Sequence, residues 1–142
     1  MDYTKLSKKF LEMICQYYQA RSQQQLSNAV HGEAFAIQYI SRHDDVAVPS
    51  DIENAMSVSS ARIATLLSSL EKKELITRRI DPKDRRRVIL RLTKAGKERA
   101  QKSEQELLGL IKKILMHLGK EDAQNYVRIM GKLAQGCNND WQ

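Results

Sequence analysis

The chain has 142 residues, of which 42% are hydrophobic and 29% charged, so it can form one ordinary domain with its own core and is too apolar to be disordered. Only six glycines and two prolines punctuate it, which favours long helices over a many-turned β-sandwich. No apolar run approaches the ~18 residues that span a membrane, and the residues after Met1 lack the apolar core of a signal peptide. We therefore expect a cytoplasmic protein that makes no membrane contact.

The net charge of +7 is concentrated in one part of the chain. Residues 59–100 hold 13 Lys and Arg against 5 Asp and Glu, whereas residues 1–58 and 101–142 together hold 11 basic and 12 acidic side chains. A locally basic lobe on a neutral body is the electrostatic pattern of a protein that binds a polyanion. Nucleic acid is therefore the first class of partner to consider.

The N-terminal region predicts two helices. Apolar residues recur at three- and four-residue steps from Leu6 to Tyr18, which indicates an amphipathic helix over about residues 4–25. Segment 34–40 has almost no polar face and predicts a helix in the centre of the domain. A polar loop at residues 43–45 closes it.

Residues 49–72 have the pattern of a helix-turn-helix. Pro49-Ser50-Asp51 has the composition of a helix start, and a short buried stripe is expected after it, formed by Ile52, Ala55 and Met56. Segment 57–60 interrupts that stripe and offers hydroxyl caps for a second helix. The second helix turns one set of side chains inward, Ile63, Leu66, Leu67 and Leu70, and another outward, Arg62, Thr65, Ser68 and Ser69.

After residue 75 the period of the hydrophobic pattern changes from that of a helix to that of a strand. Segments 76–80 and 87–92 predict two strands, and the turn 81–86 between them is rich in charge. A hairpin with a cationic tip that follows a helix-turn-helix is a winged helix, with the wing at about residues 76–92. The expected fold class is therefore mainly α with a small two- or three-stranded β wing.

The C-terminal third predicts two more helices. Thr93 can cap a long helix that Gly119 ends, and segment 121–133 predicts the next helix, with its apolar side chains turned inward. Residues 139–142 are expected to form a frayed tail. The apolar stripes of the terminal helices exceed what a small winged helix needs for its own core. We therefore expect residues 4–25 and 94–135 to form a homodimer interface and residues 33–93 to form the DNA-binding lobe.

Four motifs between residues 58 and 96 are the most specific part of the sequence. They read R-I-A at 62–64, L-E-K-K-E-L-I-T-R at 70–78, D-P-K-D-R-R at 81–86 and L-T-K-A-G at 92–96. In this order and spacing the chain resembles the multiple-antibiotic-resistance regulator (MarR) family over about residues 5–135. We expect residues 1–138 to form one domain of this type. The resemblance implies a dimeric winged helix-turn-helix regulator, usually a repressor, that binds palindromic operators and is released by a small effector.

Several positions depart from the family's pattern: Thr65 stands where many members have an arginine, Glu74 where glycine is usual, and Val48 where a capping threonine is frequent. The resemblance identifies residues 59–69 as the recognition helix. Its exposed side chains can reach base edges in the major groove, and the candidates for this role are Ser59, Ser60, Arg62, Thr65 and Ser69. Arg62 is the strongest of them, since a guanidinium pairs in bidentate fashion with guanine.

A second set of candidates lies on the wing. Clustered cations neutralise phosphates, and an arginine on a thin β-loop can enter a narrow minor groove. The wing and phosphate candidates are Arg78, Lys83, Asp84, Arg85, Arg86 and Arg87. Asp84 is expected to fix one arginine by a charge-assisted hydrogen bond. The resemblance makes Arg86, with Arg85 beside it, the minor-groove residue.

Three kinds of sensing remain open. An aromatic effector would sit between the dimer helices and the DNA-binding lobe, against Tyr17, Tyr18, His31, Phe35 and Tyr39. Oxidation of Cys15 is an alternative, with nearby tyrosine hydroxyls stabilising a thiolate. Metal sensing is a third, and its candidate ligands are His31, Glu33, His43, His117 and the cysteines. No pair of these residues stands at helical i, i+4 spacing. We expect no metal site, no cofactor and no disulfide between Cys15 and Cys137.

Catalytic motifs are missing from the sequence. It has no GxSxG, no HExxH, no glycine-rich phosphate loop and no recognisable nucleophile–base pair, so we predict that the protein is not an enzyme. Two alternatives to a sequence-reading regulator are a winged helix used for protein–protein contact and a non-specific architectural DNA binder. A winged helix that contacts only proteins would not need Arg62 on an exposed face or Arg85 and Arg86 at a hairpin tip.

Overall fold

The computed structural model of the chain describes residues 1–20, 23–24, 26–27 and 32–136. Residues 1–107 form one compact unit, and the described residues 108–136 belong to a second. The described elements are α1 (Tyr3–Gln19), α2 (Glu33–Arg42), β1 (Val46–Ala47), α3 (Pro49–Met56), α4 (Ser60–Lys72), β2 (Ile76–Ile80), β3 (Val88–Leu92), α5 (Lys94–Leu118) and α6 (Lys120–Gly136). The predicted fold class, mainly α with a small β wing, is confirmed.

The sheet of the first unit is antiparallel and has the strand order β1-β3-β2. Strand β2 pairs with β3 along its whole length, with Ile76 opposite Leu92 and Ile80 opposite Val88. Strand β1 adds a short third strand, in which Val46 lies opposite Arg91. The wing hairpin is thereby joined to the segment that precedes the helix-turn-helix.

The hydrophobic core lies in the first unit, between the sheet and helices α2, α3 and α4. Helix α2 runs through it, as its apolar sequence predicted. The fully buried large side chains are Ile37, Ile40, Ile52, Leu67, Leu70, Ile76 and Leu90. The predicted buried stripe of α3 was wrong at one position, because Ile52 and Met56 are buried but Ala55 is exposed.

The start of α5 is fixed against the end of α4. The Thr93 hydroxyl accepts a hydrogen bond from the Gly96 N–H (3.0 Å) and donates one to the Glu74 carbonyl (2.6 Å), so the predicted cap is confirmed and also joins the two elements. The Thr93 N–H donates to the Leu75 carbonyl at 3.1 Å. Helix α5 ends at Leu118, and Gly119 follows with φ +81°, where the sequence predicted the break.

Helix α4 ends in a left-handed turn at Glu74. The Leu75 N–H donates to the Leu70 carbonyl (3.0 Å) and the Glu74 N–H to the Glu71 carbonyl (2.9 Å), which is the hydrogen-bond pattern of a Schellman motif. In this motif the residue after the C-cap adopts a positive φ, and Glu74 has φ +58°. Glycine is favoured at such a position because it has no Cβ.

We expect Glu74→Gly to raise the thermal midpoint by a few degrees. A residue with a Cβ pays about 1 kcal/mol to adopt the left-handed conformation, and glycine avoids this cost. The Glu74 carbonyl that accepts from Thr93 belongs to the backbone and stays in place. Thermal denaturation followed by circular dichroism measures the change. Lys72→Gly, inside the helix, is the control and should lower the midpoint; a fall for both variants would contradict the assignment.

Helices α1 and α6 bury no residue in the single chain. The apolar side chains of α6 were predicted to point inward, and this was wrong for the isolated chain, because each of them is at least 41% exposed: Tyr126, Val127, Ile129, Met130 and Leu133. Helix α1 likewise exposes Leu6, Phe10 and Met13. Among the described helices, none is long and apolar enough to cross a bilayer. The predicted frayed tail, residues 139–142, lies outside the described residues.

Candidate nucleic-acid interface

The start of the recognition helix α4 is held by two serines. Ser59 is the N-cap, and its Oγ accepts a hydrogen bond from the Arg62 N–H at 3.3 Å. Ser60 donates its hydroxyl to Glu53 Oε1 of α3 at 2.6 Å, which ties the two helices of the motif together. Both serines are exposed, so each hydroxyl can also face a ligand while it supports the helix.

The middle of α4 presents its polar side chains to solvent. Arg62 and Thr65 are exposed, on the side opposite the buried Ile63 and Leu67, as the sequence predicted. Within the described residues no carboxylate forms an ion pair with Arg62. The Thr65 hydroxyl donates to the Ala61 carbonyl at 3.1 Å and keeps its acceptor lone pairs free for a partner. Arg62 is therefore the long, flexible side chain of this surface.

The end of α4 is bound to the start of α2 by a small polar cluster. Ser69 donates to Glu33 Oε1 at 2.5 Å, and Lys73 donates to Glu33 Oε2 at 2.7 Å. Partial burial acts to raise the pKa of the Glu33 carboxyl, but the hydrogen bonds from Lys73 and Ser69 and the charges of Lys73 and Arg99 outweigh it, so the pKa lies below its ordinary value. Ser69, predicted to read DNA, is thus engaged inside the lobe.

This cluster predicts a pH dependence of stability. Because folding lowers the pKa of Glu33, its stabilising contribution is complete above the ordinary value near 4.5 and is lost as the pH falls through the lower folded value. We expect Glu33→Gln to lower the thermal midpoint at neutral pH and to reduce its further fall in acid. Melting curves between neutral pH and pH values below 4.5 test this, with Glu98→Gln as an exposed control. Parallel pH profiles for wild type and Glu33→Gln would contradict the cluster's role.

Arg78 points from β2 toward the recognition helix. Its Nη2 donates to Ser68 Oγ at 3.1 Å, and its Nε lies 3.7 Å from Glu71 Oε2. Arg78 was predicted to belong to the phosphate-binding set, and this contact was not predicted. The signal was present in the period-2 pattern, because Arg78 stands two residues after the buried Ile76 and so shares its face.

The tip of the wing is closed by two aspartates. Asp81 Oδ1 accepts from the Lys83 N–H at 2.9 Å, and Asp84 Oδ1 accepts from the Arg86 N–H at 3.0 Å. The prediction that Asp84 holds an arginine side chain was therefore wrong in its partner, since the carboxylate binds the backbone and forms an Asx turn. The basic side chains that this turn presents are all exposed: Lys83, Arg85, Arg86 and Arg87.

The predicted effector residues fall into separate groups. Tyr17 and Tyr18 lie on α1 and meet edge to face, with ring centroids 6.1 Å apart. On α2, Tyr39 stacks on Phe35 at 6.5 Å and on His43 at 4.1 Å. His31 lies outside the described residues, as does Cys137. A cavity of about 780 Å³ adjoins α4, and its lining contains none of these aromatic residues; it is formed by Ser27, Gly32, Glu33, Met56, Ser57, Val58 and Arg62.

The other sensing residues have no clustered partners in the described part of the chain. Cys15 is exposed on α1. Among the residues that the structure describes, no three side chains of His, Cys, Asp or Glu come together in a way that could hold a metal ion.

Comparison with known proteins is consistent with this site. A family model described as a winged helix DNA-binding domain matches residues 33–111. The regulator YdgJ of Bacillus subtilis (strain 168), named as an uncharacterized HTH-type transcriptional regulator, is 29% identical over 97 residues, which cover 68% of this chain and 59% of YdgJ. The HTH-type transcriptional repressor MdtR of the same strain is 28% identical over 108 residues, covering 76% of this chain and 69% of MdtR.

A solved structure extends the comparison of folds. A mutant MarR from E. coli, complexed with operator DNA, superposes with a TM-score of 0.63 at 19% identity and covers 89% of this chain and 91% of that one. The chain belongs to the winged helix DNA-binding domain family, and its fold is similar to that of the MarR structure. The relatives carry the names of transcription regulators, a class of protein that does not act by catalysis.

Proposed function

We propose that the chain acts as a homodimeric repressor that reads a palindromic operator with helix α4 and the adjoining minor groove with its wing. The observation that carries this proposal is the division of roles on one lobe. Helix α4 exposes Arg62 and Thr65 from a rigid, capped scaffold, and the wing exposes a run of arginines at a closed turn. The former suits base edges in the major groove, and the latter suits phosphates and a narrow minor groove.

The first part of the proposal concerns the recognition helix. An α-helix fits the major groove, and side chains near its N-terminus contact the base edges. Ser59, Ser60, Arg62 and Thr65 lie in the first turns of α4 and are exposed. Ser69 lies in its last turns and already donates to Glu33, so we assign it a supporting role.

The second part concerns the wing. Asp81 and Asp84 use their carboxylates to close the turn, which leaves the side chains of Arg85, Arg86 and Arg87 free to approach DNA. Because the turn is fixed by its own backbone contacts, an arginine on it can be inserted with little loss of backbone entropy. Lys83 adds a further positive charge for the flanking phosphates.

Arg86→Ala should weaken binding most where the sequence that flanks the half-site is rich in A·T. A narrow A·T minor groove concentrates negative potential, so the lost guanidinium matters more there than beside G·C pairs. Fluorescence anisotropy with two duplexes that differ only in their flanks measures the difference. Lys83→Ala is the control and should weaken both duplexes alike. An Arg86→Ala effect that ignores the flank would contradict the minor-groove assignment.

The third part concerns dimerisation. Helices α1 and α6 bury no residue in the single chain and expose large apolar side chains, and a closed twofold dimer is the commonest way to cover such faces. Sedimentation equilibrium should give twice the 16.3 kDa of the chain. A chain that remains monomeric at micromolar concentration, or that binds a single half-site with full affinity, would contradict this part.

Two further proposals are that the chain represses transcription and that a small effector releases it from DNA. The repressor MdtR, to which the chain is similar, supports the sign of regulation. The stacked rings of Phe35, Tyr39 and His43 support an aromatic effector, because the exposed His43 ring at the end of the row can stack on a planar molecule. A reporter gene placed behind the operator tests the sign: its expression should fall when the chain is expressed, and a rise would indicate an activator.

A further inference from the structure

The last turns of the recognition helix are joined to the wing by one arginine. Arg78 of β2 donates through Nη2 to Ser68 Oγ and faces the Glu71 carboxylate through Nε, so a single guanidinium contacts two positions one turn apart on α4. Ser68 and Glu71 lie three residues apart, which places them on neighbouring turns of the same helix face. The two contacts therefore act on both the distance and the rotation of the helix end relative to the strand.

The sheet geometry explains why Arg78 faces the helix. Arg78 lies directly opposite the buried Leu90 in the register of β2 and β3, and it follows Ile76, which packs in the core, by two positions. Side chains two apart on a strand, and those opposite each other on paired strands, share one face of the sheet. The neighbouring Arg79 therefore points to the other face, and it is exposed.

The environment of the Arg78 guanidinium distinguishes it from the other wing cations. Its side chain is 31% exposed, and its Nε is buried and has no hydrogen-bond partner among the described residues. The Glu71 oxygen lies at 3.7 Å, which is an ion pair without a good hydrogen bond. Part of the guanidinium is therefore committed within the protein, whereas the side chains of Arg85, Arg86 and Arg87 are exposed.

We propose that Arg78 is a positioning residue for sequence reading: it sets the orientation of the recognition helix relative to the wing so that both contact DNA together. The proposal rests on the DNA-reading function proposed above. A phosphate contact adds affinity for every sequence, whereas a positioning residue acts on the correct site alone, because only there do both elements engage at once.

The test compares Arg78→Gln with Arg79→Gln, its neighbour on the opposite face. The dissociation constants for the selected operator and for a scrambled duplex are measured at several salt concentrations. For Arg78→Gln we expect the specificity ratio, which is the dissociation constant for the scrambled duplex divided by that for the operator, to fall about tenfold. The salt dependence of binding to the scrambled duplex should stay unchanged. Arg79→Gln shows how much the loss of one basic side chain from the same strand changes both dissociation constants.

Ser68→Ala provides a second variant that leaves every charge in place. It removes the acceptor on the helix, so we expect it to lower the same ratio, and the double variant with Arg78→Gln should be no worse than Arg78→Gln alone. All assays are run well below each variant's melting midpoint, so that loss of folded protein cannot imitate loss of discrimination.

Three results would overturn the inference. A salt slope that falls by about one unit with an unchanged ratio would make Arg78 a phosphate contact. An unchanged ratio in both Arg78→Gln and Ser68→Ala would remove any positioning role. A wild-type protein that binds operator and scrambled duplexes equally would refute the proposed function and the inference with it. This failure shows in the wild type, whereas the other two show only in the variants.

Discussion

Gly96→Ala should lower the thermal midpoint of the protein by roughly 10 °C, which corresponds to a loss of about 3 kcal/mol for a domain of this size. A Cβ built on Gly96 would lie 2.0 Å from the Leu75 carbonyl oxygen and 3.1 Å from Leu92 Cδ2. The carbonyl cannot turn away, because it accepts the Thr93 N–H. Helix α5 would have to move off the end of the sheet to accommodate the methyl group.

Gly109→Ala in the same helix is the matched control. In the single chain, no atom of the described residues other than the backbone of α5 itself lies within 4 Å of a Cβ added at Gly109, so the substitution meets open space and gains helix propensity. Its midpoint should stay level or rise slightly. Equal losses for the two variants would mean that the close approach of Gly96 to Leu75 is not what limits the site.

Arg62→Ala should remove discrimination at one base pair of each half-site, at a cost of about 1–3 kcal/mol for the operator. The reason is that Arg62 is an exposed side chain near the start of α4 and forms no ion pair in the described part of the chain, so its guanidinium is available to a guanine edge. Binding to operators that carry each of the four base pairs at every position of a half-site measures the effect. The variant should bind the four choices almost equally at one position and retain its preferences elsewhere.

Arg79→Ala is the control for Arg62, since it also removes one exposed arginine from the basic lobe. It should weaken binding to all variants of the operator by a similar factor. If Arg62→Ala shows this uniform loss as well, Arg62 is a phosphate contact, and base reading depends on Ser59, Ser60 and Thr65.

The helices and the wing hairpin of the DNA-binding lobe could be predicted from local pattern, but the two-residue strand β1 was not. The change of hydrophobic period after residue 75 located the wing, and the apolar positions of α4 separated its buried face from Arg62 and Thr65. Thr93 was recognised as a cap because capping depends on residues within one turn. These features are set by neighbours in the chain, which a single sequence displays directly.

The polar contacts between distant segments could not be predicted in this way. Glu33 binds Ser69 and Lys73 from 36 and 40 residues away, and no local periodicity records such a pair. The period-2 pattern of β2 shows that Arg78 shares a face with Ile76, but it does not show that Ser68 and Glu71 of α4 are its partners. Asp84 was assigned a side-chain partner, but a backbone N–H two residues on is closer at hand in a tight turn.

The apolar residues of α6 show a further limit of sequence patterns. The helical period identifies which side chains share a face, but it does not say whether that face is covered within the same chain or by a partner. In the single chain this face is exposed, with Val127 at 57%.

The central claim is that the protein reads a palindrome as a dimer, and selection from random DNA duplexes tests it most directly. The purified protein is incubated with a randomised library, bound duplexes are recovered over several rounds, and the survivors are sequenced. We expect an inverted repeat whose half-sites lie about one helical turn apart, flanked by A·T-rich steps. Salt-sensitive binding that enriches no sequence would contradict it and indicate a non-specific architectural protein.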